Sequence, residues 1–166
     1  MNEIPSNLSD YLASEKLDGV RCIWDGYDFY TRHGKLLSPP AWFLAGMPEG
    51  VRLDGELYMG RGTFSALQSA MQRKGGDWAG IKFHVFDLQE SGITTEERIA
   101  KLQAVSLPAH CPLVDHCEAT NLDAMEADIV ANGGEGVCLR IKSGTYSPFN
   151  FTKVKRLFPD LERWQG

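Results

Sequence analysis

The sequence lacks any long hydrophobic run. None of its apolar stretches approaches the roughly 20 residues that a membrane-spanning helix needs, and residues 1–6 carry neither basic charge nor an apolar segment. No export signal is visible, so we expect a cytoplasmic protein that does not associate with membranes. Repeats, low-complexity tracts and linker-like segments are missing too, so the 166 residues predict a single domain, 1–166.

Positive charge is in short supply. Lys and Arg number 17 against 22 Asp and Glu, which gives a formal net charge of −5. This balance argues against non-specific electrostatic binding of nucleic acid over the whole surface. An enzyme that acts on nucleic acid would therefore depend on a local basic face. The candidates for such a face form two groups: Arg61, Arg73 and Lys74, and Lys153, Lys155, Arg156 and Arg163.

Cysteine is scarce, and its spacing argues against a zinc knuckle, because none of the four cysteines stands in a CxxC pair. Cys22 and Cys138 lie in apolar, strand-like runs and are predicted to be small buried residues. For Cys111 and Cys117 we expect reduced thiols rather than a disulfide, as is usual for a cytoplasmic protein.

What the sequence does contain is a series of short apolar runs separated by turn signals such as Asp25-Gly26 and His33-Gly34. Helical spacing, a capping-box pattern at 94–97 and the stop signal Asn132-Gly133 predict three helices. The predicted strands are 20–24, 27–31, 51–58, 81–88, 113–118, 136–141 and 152–157, and the predicted helices are 63–73, 94–105 and 122–131. Hairpin-linked strands with interspersed helices favour an α+β fold with antiparallel sheets.

Five clusters of chemically distinctive residues occur in a fixed order. They are EKLDGVR at 15–21, LDGE at 53–56, FHVFD at 83–87, GEGVCLR at 134–140 and TKVK at 152–155. The first offers a lysine before an Asp-Gly turn, the second and fourth a glutamate after a glycine, the third an aromatic in a strand, and the last a lysine pair. Each cluster alone is a weak signal, whereas five in order form a specific one.

In that order the clusters resemble the nucleotidyltransferase motifs of ATP-dependent DNA ligases, and the neighbouring sequence is similar to minimal bacterial Lig E-type and phage ligases. The resemblance runs from about residue 11 to residue 157. It implies an adenylation-domain fold, in which two antiparallel sheets flanked by helices surround a nucleotide cleft. It also implies a reaction in which ATP adenylates a lysine and the AMP is passed to the 5′-phosphate of a DNA nick, which is then sealed.

The resemblance identifies Lys16 as the nucleophile, with Glu15 and Leu17 beside it in the nucleotide site. A lysine amine attacks only in its neutral form, which nearby cations and partial burial favour. The sequence offers Arg21 and the pair Lys153 and Lys155 as cations, and we expect all three to bind nucleotide and to assist catalysis. In a strand, Lys153 and Lys155 would point to the same side, as needed to hold an α-phosphate.

Glu56 and Glu135 match the two glutamates of the family that lie near the ribose and a divalent metal. Hard carboxylate oxygens suit Mg²⁺ and Mn²⁺ alike, so the metal stays open between the two. Phe86 matches the aromatic that stacks on adenine, although a core phenylalanine is the alternative. Arg32 matches the arginine that helps to bind the nick 5′-phosphate.

The resemblance also implies partners. The short segment before Lys16 leaves no room for the extra module of NAD-dependent ligases, which points to ATP. Family members continue past the lysine pair into an OB-fold domain, whereas few residues follow Lys155 here. We therefore expect that domain to be absent. The expected partners are nicked duplex DNA and a separate OB-fold or DNA-binding protein, with the chain itself a monomer.

Two other functions remain open from the sequence. RNA ligases and GTP-using capping enzymes share the lysine-to-glycine signature, although the form of the segment 15–21 and its neighbours favour DNA. A module that binds nucleotide or DNA ends without ligation is the other alternative, motivated by the short segment after Lys155.

Overall fold

The computed structural model describes residues 5–72 and 77–146, together with the backbone of strand 155–157. The chain divides into two compact units. The first unit comprises residues 1–17, 90–97 and 114–166, and the second comprises residues 18–89 and 98–113. Among the described residues, no helix has the length and apolar character required to cross a membrane.

Eight strands and four α-helices make up the described fold. The strands are β1 Tyr11–Glu15, β2 Val20–Trp24, β3 Phe29–Thr31, β4 Leu53–Tyr58, β5 Lys82–Leu88, β6 Cys117–Glu118, β7 Val137–Ile141 and β8 Lys155–Leu157. The helices are α1 Ala41–Leu44, α2 Phe64–Gln72, α3 Thr95–Gln103 and α4 Leu122–Ala131. Short 3-10 turns precede β1 and α4.

The sheet of the first unit has the order β6-β1-β7-β8, and all of its pairings are antiparallel. Apolar residues of β1, β7 and α4 form its core: Ala13, Val137, Leu139, Leu122 and Ile129. The pairing of β1 with β7 runs from Tyr11 opposite Ile141 to Glu15 opposite Val137. Residues that are far apart in sequence are thereby aligned at one end of this sheet.

The sheet of the second unit has the order β3-β2-β4-β5 and is also antiparallel. Its two faces differ in character. One face is fully apolar and carries the larger core, which includes Cys22, Trp24, Leu53, Leu57, Phe83 and Val85 together with Phe43 of α1 and Leu67 of α2. The opposite face carries polar, charged and half-buried side chains, as alternation along half-buried strands requires. The predicted α+β fold with two antiparallel sheets is confirmed.

The hairpin predicted at Asp25-Gly26 forms, but its second strand begins later than expected. The Asp25 carboxylate accepts the backbone N–H groups of Tyr27 and Asp28, both at 2.8 Å. This side-chain bonding holds residues 25–28 in the turn, as an Asx-turn does. Strand β3 therefore starts at Phe29.

Two helix signals are confirmed. Thr94 and Glu97 form a reciprocal capping box, in which each side chain accepts the other residue's backbone N–H, at 3.0 and 3.2 Å. Helix α4 has the predicted bounds and ends in a Schellman motif, with bonds from Gly133 N–H to the Val130 carbonyl and from Gly134 N–H to the Ile129 carbonyl. Gly133 supplies the positive φ of 89° that this ending requires.

The predicted strand 113–118 is wrong over most of its length. Leu113 forms only an isolated parallel bridge with Val85 in the second unit, whereas Cys117–Glu118 pairs with β1 in the first. An apolar run that serves two sheets thus looks like one strand in the sequence. Strand β1 and the single-turn helix α1 were not predicted, since a buried five-residue strand and a four-residue helix show no clear period.

All four cysteines are free thiols. Burial raises the pKa of Cys111 to about 12, and burial, with the nearby charges of Glu56 and Asp54, raises the pKa of Cys22 as well. Both thiols are therefore unreactive. Cys138 is only half-buried, so the expectation of a buried residue is correct for Cys22 and wrong for Cys138.

Replacing Gly55 with alanine should destabilise the protein by about 1–3 kcal/mol, because an added methyl would overpack the sheet. A Cβ at this position would lie 2.5 Å from the His84 carbonyl oxygen and 2.8 Å from the Phe83 ring. Gly80→Ala is the matched control, since its Cβ would meet only the flexible end of Met59, at 3.3 Å. Urea unfolding measures both variants, and equal losses of stability would contradict this account.

Candidate active site

Lys16 and Glu135 form an ion pair in the first unit. The β1–β7 pairing ends with Glu15 opposite Val137, and the Lys16 N–H donates to the Gly136 carbonyl at 2.9 Å. Lys16 therefore follows the end of β1 where Glu135 approaches the start of β7. Its Nζ lies 2.5 Å from Glu135 Oε2, and the two side chains are 10% and 30% exposed. The sequence prediction placed both residues in the site, and the structure brings them into contact.

The end of helix α4 positions Glu135. The Schellman motif reverses the chain at Gly133, and the next residue, Gly134, is closely packed. A side chain at Gly134 would overlap Ile129 and would lie 3.1 Å from Glu15 Oε2. Glycine at 134 thus lets the chain pass close to Glu15, and β7 begins two residues after Glu135. Glu15, the predicted neighbour of the nucleophile, lies at this turn.

Arg21 in the second unit is held by a buried carboxylate. Its Nε and Nη2 donate to the two oxygens of Asp54, at 3.1 and 2.8 Å. Asp54 is fully buried, and the Arg21 side chain is 17% exposed. A bidentate contact of this kind fixes the plane of the guanidinium as well as its position. Asp54 therefore orients Arg21.

Glu56 caps the turn that follows the lysine motif. Its Oε2 accepts the backbone N–H of Gly19 at 3.1 Å. Glycine is required at 19, because a Cβ there would overlap the Leu57 carbonyl oxygen. The close approach holds the Asp18-Gly19 turn against β4, beside the half-buried carboxylate of Glu56.

Phe86 lies at an irregularity of the β4–β5 ladder. Asp54 pairs with Asp87 and Gly55 with Val85, so Phe86 is the extra residue of a bulge. Bulges re-aim side chains and are frequent next to active sites. The ring of Phe86 is half-buried and does not belong to the apolar core, and the Arg21 guanidinium lies 5.7 Å from its centroid. The placement excludes the core role that the sequence left open for Phe86.

A buried ion pair lies next to the bulge, at the residue that follows Phe86. Arg98 Nε donates to Asp87 Oδ1 at 2.8 Å, and both side chains are nearly inaccessible to solvent, at 3% and 1%. Asp87 Oδ1 also accepts the N–H of Leu88 at 2.8 Å. Sequence analysis did not single out Arg98, because a charged residue in a helix normally indicates an exposed face.

The remaining predicted residues are less fully described. Arg32 follows β3 and is exposed, and its N–H donates to the Arg21 carbonyl at 3.2 Å. Leu17, which ends the first unit, is half-buried. Lys155 lies opposite Leu139 in the β7–β8 pairing. Lys153 lies outside the described residues, as do Arg73, Lys74 and Arg163 of the candidate basic faces.

The two predicted metal ligands lie in different units, Glu56 in the second and Glu135 in the first. Within the described ranges no group of three or more His, Cys, Asp or Glu side chains could hold a metal by itself. Each carboxylate taken by itself still suits Mg²⁺ or Mn²⁺, because Mg²⁺ is commonly held by one or two carboxylates together with substrate phosphates and water.

Arg140 has a structural partner that the sequence did not reveal. Its Nη2 donates to His116 Nε2 at 2.9 Å, while His116 Nδ1 lies 3.1 Å from the Val114 carbonyl. Burial, followed by the charge of Arg140, lowers the pKa of His116 to about 3, although the Val114 carbonyl acts in the opposite direction. Distant residues supply this pair, so no local pattern could have indicated it.

In sequence, the chain is 32% identical over 157 residues to a DNA ligase of Haemophilus influenzae, in an alignment that covers 90% of this chain and 58% of that protein. A solved structure from a structure–function analysis of Lig E DNA ligases matches with a TM-score of 0.79 and 30% identity, over 85% of this chain and 59% of the other. Chlorella virus DNA ligase-adenylate matches in fold, with a TM-score of 0.65 and 20% identity, over 89% and 60%. No family model matches.

These matches confirm the resemblance that the five clusters indicated, and they confirm the adenylation-domain fold. The chain spans less than two thirds of the length of each of these relatives.

The low pKa of His116 predicts a specific pH dependence of stability. In the unfolded chain His116 binds a proton near pH 6.5, whereas burial in the folded chain lowers the pKa of His116 to about 3. The contribution of His116 is therefore complete above pH 6.5, and each unit of pH below that value removes up to about 1.4 kcal/mol. His116→Gln should abolish this part of the slope.

The measurement is the free energy of unfolding between pH 7 and pH 4 for the wild type, His116→Gln and the exposed control His33→Gln. We expect the wild-type curve to be steeper than that of His116→Gln and parallel to that of His33→Gln. Parallel curves for the wild type and His116→Gln would contradict the assignment.

Proposed function

We propose that this chain, which has the adenylation-domain fold of the DNA ligases and resembles them in sequence, is the catalytic domain of an ATP-dependent DNA ligase. The observation that carries the proposal is the Lys16–Glu135 ion pair. In this pair a largely buried amine contacts a carboxylate, and the amine belongs to the lysine that matches the nucleophile of the family motif. Its H. influenzae relative is named a DNA ligase.

In the first step, Lys16 Nζ attacks the α-phosphate of ATP. A nitrogen–phosphorus bond forms, the bond to the β-phosphate oxygen breaks, and pyrophosphate leaves. The ammonium group must lose a proton before it attacks, and Glu135 Oε2, at 2.5 Å, is an acceptor within reach. The product is a lysyl-AMP phosphoramidate. Lys153 and Lys155 are proposed to hold the α-phosphate and to favour its developing charge.

The second unit is proposed to bind the nucleoside part of ATP. Phe86 stacks on the adenine ring, a contact worth roughly 1–3 kcal/mol that discriminates poorly between bases. Its re-aimed, half-buried ring supports this role. Glu56 accepts hydrogen bonds from ribose hydroxyls. Arg21, held by Asp54, presents a guanidinium of fixed orientation to the phosphates.

Glu135 and Glu56 are each proposed to offer a carboxylate to a divalent metal ion, which together with ATP oxygens would neutralise charge on the phosphates. Either Mg²⁺ or Mn²⁺ suits these donors.

In the second step, AMP is proposed to pass from Lys16 to the 5′-phosphate of a nick, and the 3′-hydroxyl then displaces it. Exposed Arg32 is proposed to contact the 5′-phosphate. Further phosphate contacts to the duplex are proposed to come from an OB-fold or other DNA-binding protein, because contacts of this kind dominate affinity for DNA.

Lys16→Ala should abolish covalent AMP attachment. Intact mass spectrometry, before and after incubation with ATP and Mg²⁺, should show one AMP adduct on the wild type and none on the variant. Lys142→Ala is the matched control. Lys142 also pairs with a carboxylate in the first unit, Glu118 at 2.6 Å, but it lies outside the five clusters.

Retention of the adduct in Lys16→Ala, or its loss in Lys142→Ala, would contradict the assignment of the nucleophile. With GTP in place of ATP, a stronger adduct would favour a capping-type enzyme.

Sealing should require a DNA strand with a 5′-phosphate. Labelled nicked duplexes of DNA and of RNA, supplied in pre-adenylated form, test this step without the need for ATP. We expect slow sealing of the DNA nick. In Arg32→Ala the sealing rate should fall at least about tenfold, because a charge-assisted contact with the phosphate is lost. Preferential sealing of RNA would indicate an RNA ligase, and no sealing of either would indicate a binding module.

A further inference from the structure

A row of three side chains crosses the polar face of the second unit's sheet. Arg21 on β2 lies opposite Glu56 on β4, and Glu56 lies opposite His84 on β5. Paired residues of neighbouring strands stand about 5 Å apart and present their side chains to the same face. All three side chains are half-buried. The register thus places His84 next to Glu56, a residue of the candidate site.

The ring of His84 is held by Tyr58. The two rings are edge-on, with centroids 5.3 Å apart and planes at 83°. Tyr58 is only 8% exposed and follows Glu56 by two residues on the same face of β4. This contact restricts how the imidazole can turn, while the register keeps His84 beside Glu56.

Phe86 lies on the same face as this row. It follows His84 by two residues on β5, and its contact with Arg21 shows that its ring lies on this face. A base stacked on Phe86 would therefore have Glu56 and His84 as neighbours of its sugar.

The two side chains complement each other chemically. A ribose hydroxyl has one proton to donate and an oxygen that accepts. Ionised Glu56 can only accept, so it takes the hydroxyl proton. A histidine ring nitrogen that carries hydrogen donates to the hydroxyl oxygen. Neither residue alone satisfies both halves of the hydroxyl group.

We propose that His84 binds a ribose hydroxyl of ATP together with Glu56 and makes the site prefer ribonucleotides over deoxyribonucleotides. The inference deepens the proposed function and rests on it for the identity of the nucleotide. It assigns to His84 a direct contact with the substrate, with Tyr58 as the residue that positions it.

The test is equilibrium binding of ATP, 2′-deoxy-ATP and 3′-deoxy-ATP to the whole chain by titration calorimetry. His84→Phe keeps a flat ring against Tyr58 and removes the nitrogens. We expect it to bind ATP about tenfold more weakly and to bind at least one deoxy analogue as tightly as the wild type does. His84→Gln retains an N–H donor and should restore most of the preference for ATP.

His110→Phe is the matched control. His110 is another half-buried histidine of the second unit that packs on aromatic rings, those of Trp42 and Phe43, and it is not part of the row. It should leave the ratio of ATP to deoxy-ATP affinity unchanged. Thermal melts of each variant establish that it is folded.

An equal loss of affinity for all three nucleotides in His84→Phe would overturn the proposal, because a merely structural residue behaves in that way. Absence of ATP binding to the wild type would overturn it as well. If ATP binds but no AMP adduct forms on Lys16, the proposed reaction fails, whereas the affinity ratios still decide the role of His84.

Discussion

The pairing of β1 with β7 determines where the candidate chemistry can occur in the first unit. Lys16 and Glu135 are 119 positions apart in sequence, and only the register from Tyr11 opposite Ile141 to Glu15 opposite Val137 aligns them. A slip by one residue would turn every side chain of β1 to the opposite face. The buried residues Ala13 and Leu139 oppose such a slip, so the apolar core of this sheet also secures the geometry of the ion pair.

In the second unit, buried charge has the corresponding role. Asp54 and Asp87 are fully buried, and each is engaged by an arginine, Arg21 and Arg98. Burial of unpaired carboxylates would be very unfavourable, so each aspartate requires its guanidinium in place. The two aspartates lie opposite each other in the β4–β5 ladder, next to the β-bulge that carries Phe86. The face that we propose to bind the nucleoside is therefore braced by ion pairs rather than by apolar packing alone.

Local signals predicted the fold well where one residue type dictates a conformation. Gly133 ended α4 as expected, and Thr94 with Glu97 capped α3. The prediction of secondary structure failed for β1 and for residues 113–116. These segments show no hydrophobic periodicity in the sequence, and their conformation depends on pairing with distant strands. In the site, motif order predicted Lys16, Glu56, Glu135 and Phe86, and the pairing of Lys16 with Glu135 emerged only from the register. Arg98 and His84 were missed because their environments come from distant strands.

The route of the chain has a consequence for how the protein is made. The second unit's strands all lie within residues 20–88, whereas β1 must wait for β7, which a ribosome adds more than a hundred residues later. Closing so long a loop is entropically costly, and nonlocal pairing of this kind slows folding. During synthesis, the sheet of the second unit can therefore form while β1 still lacks its partner β7. The contact between Lys16 and Glu135, which depends on that pairing, thus arises late in folding.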